Sequence, residues 1–203
     1  MHFGTPVFGA QGREWTFRRK SENEMIKFIA FLRGINVGGV NIKMAELKAA
    51  FEKIGFGNVR TLLASGNVLF DAPTASESEL VEKIEQKLAS VFGRYIHVLV
   101  RRVDELKRLA ETKPYAGIEA TKQTRLYVTF LPDGTESSLE IPYESPDKNF
   151  KILYASEREV CSVLTLSADS QTVDLMSILE KEYGKKVTTR NWNTVERTLK
   201  AAG

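Results

Sequence analysis

The stretch Lys27–Asn41, reading KFIAFLRGINVGGVN, constrains the fold of this chain more than any other. An apolar run, Phe28 to Leu32, passes through Arg33 into a loop carrying Gly34, Gly38 and Gly39 with Asn36 and Asn41. A helix-forming segment follows at once, so the pattern is strand, permissive loop, helix. The strand is apolar on both sides: Phe28, Ala30 and Leu32 alternate with Ile29 and Phe31. An antiparallel sheet with one wet face would alternate apolar with polar residues instead. Leu126, Val128 and Phe130 alternate in the same way with Tyr127 and Leu131. Both sheets therefore need an apolar partner on their second face, supplied by the other half of the chain or by a second copy in a homodimer.

Periodicity fills in the rest. Leu47, Ala50, Phe51 and Ile54 make one face of a helix over Met44–Ile54, which Gly55 stops. Val59–Ala64 and Asn67–Ala72 read as strands around the Ser65-Gly66 bend. Ser76 and Glu79 form a capping box ahead of a long apolar stripe to Phe92, and Ile96–Arg101 is a fourth strand. The order is β-α-β-β-α-β, the ferredoxin-like arrangement. After a short helix at Asp104–Glu111 the order repeats. A strand at Arg125–Leu131 and a short helix at Ser137–Ile141 precede strands at Asn149–Ala155 and Glu159–Leu164. A helix at Thr172–Tyr183, a strand at Lys185–Thr189 and a terminal helix at Trp192–Ala201 complete it. The expected fold class is α/β (α+β), with two ferredoxin-like subdomains on antiparallel sheets. Residues 1–24 read as a flexible extension before a start at Met25, 25–102 as the first subdomain, 103–124 as a helical connector and 125–203 as the second subdomain with its terminal helix.

The 203 residues, 42% hydrophobic and 27% charged, have an ordinary globular composition. Such a length buries roughly 70% of the unfolded surface without disulfide or metal staples. A net charge of +3 is too small a surplus to imply nucleic acid. The single cysteine, Cys161, permits no internal disulfide and reads as a buried thiol within an apolar run. No run approaches the about 18 apolar residues of a membrane helix, and residues 1–24 lack the apolar core of a secretory signal. A cytoplasmic location away from membranes is expected.

In β-α-β-β-α-β topology the loop after the first strand and the bend between the middle strands share one end of the sheet. That places Arg33, Gly34, Asn36, Gly38, Gly39, Asn41, Lys43, Ser65 and Asn67 in one neighbourhood. Glycines let backbone N–H groups approach a ligand, the following helix points its positive end there, and Arg33 offers a two-pronged donor. Tight turns with asparagine caps explain any single one of these residues equally well; the whole set favours an anion site. The loop matches neither a P-loop nor GxGxxG. A second polar cluster, Arg190, Asn191, Trp192 and Asn193, joins the last strand to the last helix; a helix cap explains the asparagines, and an arginine beside an aromatic suits recognition. Only His2 and His97 are present, and no His, Cys and Asp cluster has zinc spacing. His97 is expected as a structural residue near the start of the fourth strand, at the end of the sheet away from the turns. No metal or cofactor is expected.

LRGINVGG at 32–39, SGNVLF at 65–70 and KKVTTRNWNTV at 185–195 resemble the bacterial family named domain of unknown function sixteen ninety-seven. The resemblance runs from about Met25 to the C-terminus. It implies an α/β fold with ferredoxin-like subdomains and carries over no activity or catalytic residue.

The function expected from the residues is binding of a small anionic ligand, phosphate- or nucleotide-like, at the loop after the first strand. One alternative is an acylphosphatase-like hydrolase on the same site, by analogy of fold. Another is an RNA-binding module using Phe28, Phe31 and Phe70, although the pattern around Phe70 is not that of an RNA-recognition strand.

Overall fold

The computed structural model describes residues 25–36, 41–63, 66–73, 76–136, 139–166 and 175–203. Strand β1 (Met25–Leu32), helix α1 (Met44–Glu52), strands β2 (Gly57–Leu62) and β3 (Asn67–Pro73), helix α2 (Glu77–Phe92) and strand β4 (Val98–Arg102) follow in the expected order. They form an antiparallel sheet ordered β2-β3-β1-β4. Ser76 caps α2 through the full capping box with Glu79, and Gly93 ends the helix in the left-handed conformation. Helix α3 (Val103–Glu111) leads to the second half: β5 (Thr124–Phe130), β6 (Tyr143–Glu144), β7 (Phe150–Ala155), β8 (Glu159–Thr165), α4 (Leu175–Tyr183), β9 (Thr188–Asn191) and α5 (Trp192–Ala202). The second sheet is ordered β6-β7-β8-β5-β9.

The second half differs from its expected outline in two places. Of the short helix expected at 137–141, residues 139–141 are not helical and 137–138 lie outside the described residues. The chain instead adds the two-residue strand β6 beside β7. The last strand runs to Asn191, because Arg190 and Asn191 still pair with Val128 and Tyr127 of β5 before the helix begins.

The two-sided apolar pattern of β1 and β5 is resolved inside the chain. Phe28, Ala30 and Leu32 pack under α1 and α2 with Leu47, Phe51, Ile84 and Leu88. Ile29 and Phe31 face the other way, into a central cluster with Leu126, Val128 and Phe130 of β5, roofed by α3 and α5. Phe31 and Phe130 stack there with ring centroids 4.1 Å apart. Beyond the second sheet, Phe150, Ile152 and Val160 pack on Leu179 and Tyr183 of α4. Each sheet is thus covered on both faces, one of them by the opposite half.

Equivalent contacts recur in the two halves. Leu32 N–H donates to the Gly66 carbonyl at 2.8 Å, and Leu131 N–H to the Arg158 carbonyl at 2.9 Å. Arg101, on the last strand of the first half, lies over the Phe130 ring at 5.9 Å and donates to the carbonyls of Leu131 and Arg158. Arg190, on the last strand of the second half, lies over Phe31 at 5.7 Å and donates to the carbonyls of Leu32 and Gly66. These two arginines clip the halves together reciprocally. Among the described residues no helix is long and apolar enough to cross a membrane.

Candidate functional site

The loop after β1 and the bend before β3 meet at one rim. Gly66 turns at φ +74, and a β-carbon there would stand 2.8 Å from Ile35 Cδ1 and 3.1 Å from Leu32 Cβ. Glycine is therefore what lets the bend nest against the loop. Gly34 and Asn36 take positive φ angles of 68° and 55°. The Asn36 side-chain oxygen accepts from Ile42 N–H at 2.8 Å, tying one end of the loop to the other. Lys43 then enters α1 in an extended conformation and gives the helix no side-chain cap. Its amine lies 3.6 Å from Glu46 in an exposed pair, worth little to stability. Asn41 is exposed just ahead of it. Gly38, Gly39 and Ser65 lie outside the described residues.

Two arginines approach this rim with different partners. Arg33, expected as a two-pronged donor to a ligand, uses that fork within the protein. The fork closes on the Glu180 carboxylate of α4 and the Val187 carbonyl ahead of β9. The local sequence holds no sign of this pairing, because Glu180 lies 147 positions away. Arg190 reaches in from the second half. Its Nε donates to Asn67 Oδ1 at 2.7 Å, Nη2 to the Leu32 carbonyl at 2.6 Å and Nη1 to the Thr189 carbonyl at 2.9 Å. All of these acceptors are neutral. Among the described residues, no carboxylate lies within ion-pairing distance of Arg190. Loss of water around the guanidinium lowers its pKa to about 10.

Arg190 thus joins the first cluster, while its neighbours turn elsewhere. Asn191 caps α5, accepting from Asn193 N–H at 3.0 Å. Trp192 packs on Tyr115 with ring centroids 5.2 Å apart. Asn191, Trp192 and Asn193 line a cavity of about 400 Å³ that shares no lining residue with the rim.

The expected position of His97 is also corrected. Val98 pairs with Leu32, and the His97 carbonyl accepts from Arg33 N–H at 2.8 Å, so His97 stands at the same end as the loop. An antiparallel fourth strand has to start where the first one ends. Its ring is held by Glu85 at 2.9 Å and by the Lys186 carbonyl at 3.0 Å, a structural pairing. Cys161 is fully buried, and burial pushes its thiol up to about 12, far from a reactive thiolate.

A solved structure of a conserved bacterial protein from Streptococcus pneumoniae is similar to this chain with a TM-score of 0.69 at 19% identity, covering 89% of this chain and 100% of that one. At that identity the likeness is one of fold. No curated protein matches the chain. The family model for protein of unknown function DUF1697 matches residues 25–160, from the first residue of β1 into β8; the Lys185–Val195 motif lies beyond the match. The chain therefore belongs to the DUF1697 family.

Proposed function

We propose that the protein binds a small anion, phosphate- or nucleotide-like, at the rim formed by the Gly34–Asn41 loop, Lys43, the start of α1 and the Gly66 bend. The observation that carries this reading is Arg190. It brings a positive charge beneath the rim with, among the described residues, only neutral acceptors around it. A partly desolvated guanidinium without a carboxylate favours a nearby anion. The positive end of α1 adds to the same field. Phe28, Phe31 and Phe70 are each 0% exposed, so they offer no ring to a base, which favours a small ligand over RNA.

Thermal unfolding in the presence of inorganic phosphate, nucleotides and phosphorylated metabolites tests the proposal. A ligand at a hundred times its Kd should add about 2.7 kcal/mol of stability. Lys43→Glu should abolish that gain and leave the ligand-free Tm unchanged, since the Lys43 side chain is 79% exposed. A panel that raises the Tm nowhere removes the reading.

A further inference from the structure

We infer that the cavity between the α3–β5 connector and the first turn of α5 binds a small zwitterion with an apolar body, the chemistry of an apolar α-amino acid. The site is separate from the rim, and its fate does not depend on the anion proposal.

The cavity of about 400 Å³ has the size of a small-molecule site. Its apolar lining comprises Leu126 of β5, Ile118 and Tyr115 of the connector, and the Trp192 ring. Tyr115 is fixed by donating its hydroxyl to the Tyr127 carbonyl, so this wall is rigid. Trp192 is only 8% exposed. Among the described residues the Trp192 indole N–H donates to no protein group, and it is not one of the buried unpartnered atoms, so it reaches solvent where the ring lines the cavity. A ligand oxygen would complete it.

The charges at the cavity supply the rest. Lys113 on the connector and Glu196 on α5 are both exposed and both line it. Neither forms an ion pair among the described residues, with each other or with anything else. A carboxylate would be drawn to Lys113 and the indole N–H, an ammonium group to Glu196, and an apolar side chain to the apolar lining. A single charge of either sign would leave one of the two residues opposed.

The test uses the full chain with Trp15→Phe, which leaves Trp192 as its one tryptophan. Its emission is followed while L-phenylalanine, L-leucine, 3-phenylpropionate or 2-phenylethylamine is added. The expected result is a saturable change with both amino acids, and binding roughly fivefold weaker for each singly charged analogue. Glu196→Gln and Lys113→Asn should each weaken the amino acids by a similar factor with no change in Tm. Asparagine suits position 113 because Lys113 already holds a φ of 50°. No saturable change, equal binding of the singly charged analogues, or indifference to both substitutions would overturn the inference.

Discussion

Arg101 and Arg190 hold equivalent places in the two halves and end in opposite electrostatic circumstances. Each sits on the last strand of its half, lies over the other half's central phenylalanine and donates to the carbonyls of the facing rim. Arg101 is 3% exposed and stands 3.5 Å from the Glu77 carboxylate. Glu77 also pairs with Arg158, which reaches Glu105 and Asp133 in turn. Charge at that rim is cancelled within the protein. Around Arg190 the same scaffold offers, among the described residues, an amide oxygen and main-chain carbonyls only. The comparison teaches that the same clip can be neutralised by carboxylates within the protein or left with neutral acceptors. Arg33, tied to Glu180, belongs with the first kind although it stands at the second rim.

The largest effect tests what the clips share. Phe31→Ala removes the ring stacked on Phe130 and seated under Arg190, so urea unfolding should show a loss of about 3–5 kcal/mol. A loss below about 1 kcal/mol would mean the central stack is not the common support. Next come the clips themselves. Arg101→Met strips a buried carboxylate of one partner and should cost about 3 kcal/mol. Arg190→Met leaves only neutral acceptors behind and should cost about 1–3 kcal/mol. Adding Glu77→Gln should restore part of the first loss and none of the second. Equal costs, or equal rescue, would erase the distinction between the two rims.

The smallest effect is one of pH. Burial raises the Glu77 pKa above 4.5, against the pull of Arg158 and Arg101. Above pH 4.5 the folded chain therefore holds more protons at this carboxyl than the unfolded chain does. Its contribution to stability is complete below 4.5 and is lost as pH rises through the folded value. Glu77→Gln should flatten that part of the stability profile, measured by denaturant midpoints from pH 4 upward, while Arg190→Met leaves it in place.

Much of this architecture is legible in the amino-acid order. Apolar residues on both sides of β1 and β5 state that both faces must be covered, and the Ser76–Glu79 box and Gly93 mark the ends of α2. The shared rim follows from topology alone. What is missing from the local pattern is long-range pairing of side chains. Arg33 with Glu180, Arg190 with Asn67 and Arg101 with Leu131 are set by how the halves dock, and no periodicity records that. The two-residue β6 is too short for alternation to register. The end at which His97 stands is legible too, since an antiparallel fourth strand starts where the first one ends.

The shared middle layer bears on how this protein comes apart. Ile29 and Phe31 from one sheet and Val128 and Phe130 from the other keep each other dry, so neither half can lose its shape and leave its neighbour content in water. Scanning calorimetry should record a single endotherm, and a chain nicked in the exposed stretch around Glu119–Lys122 should still melt as one body.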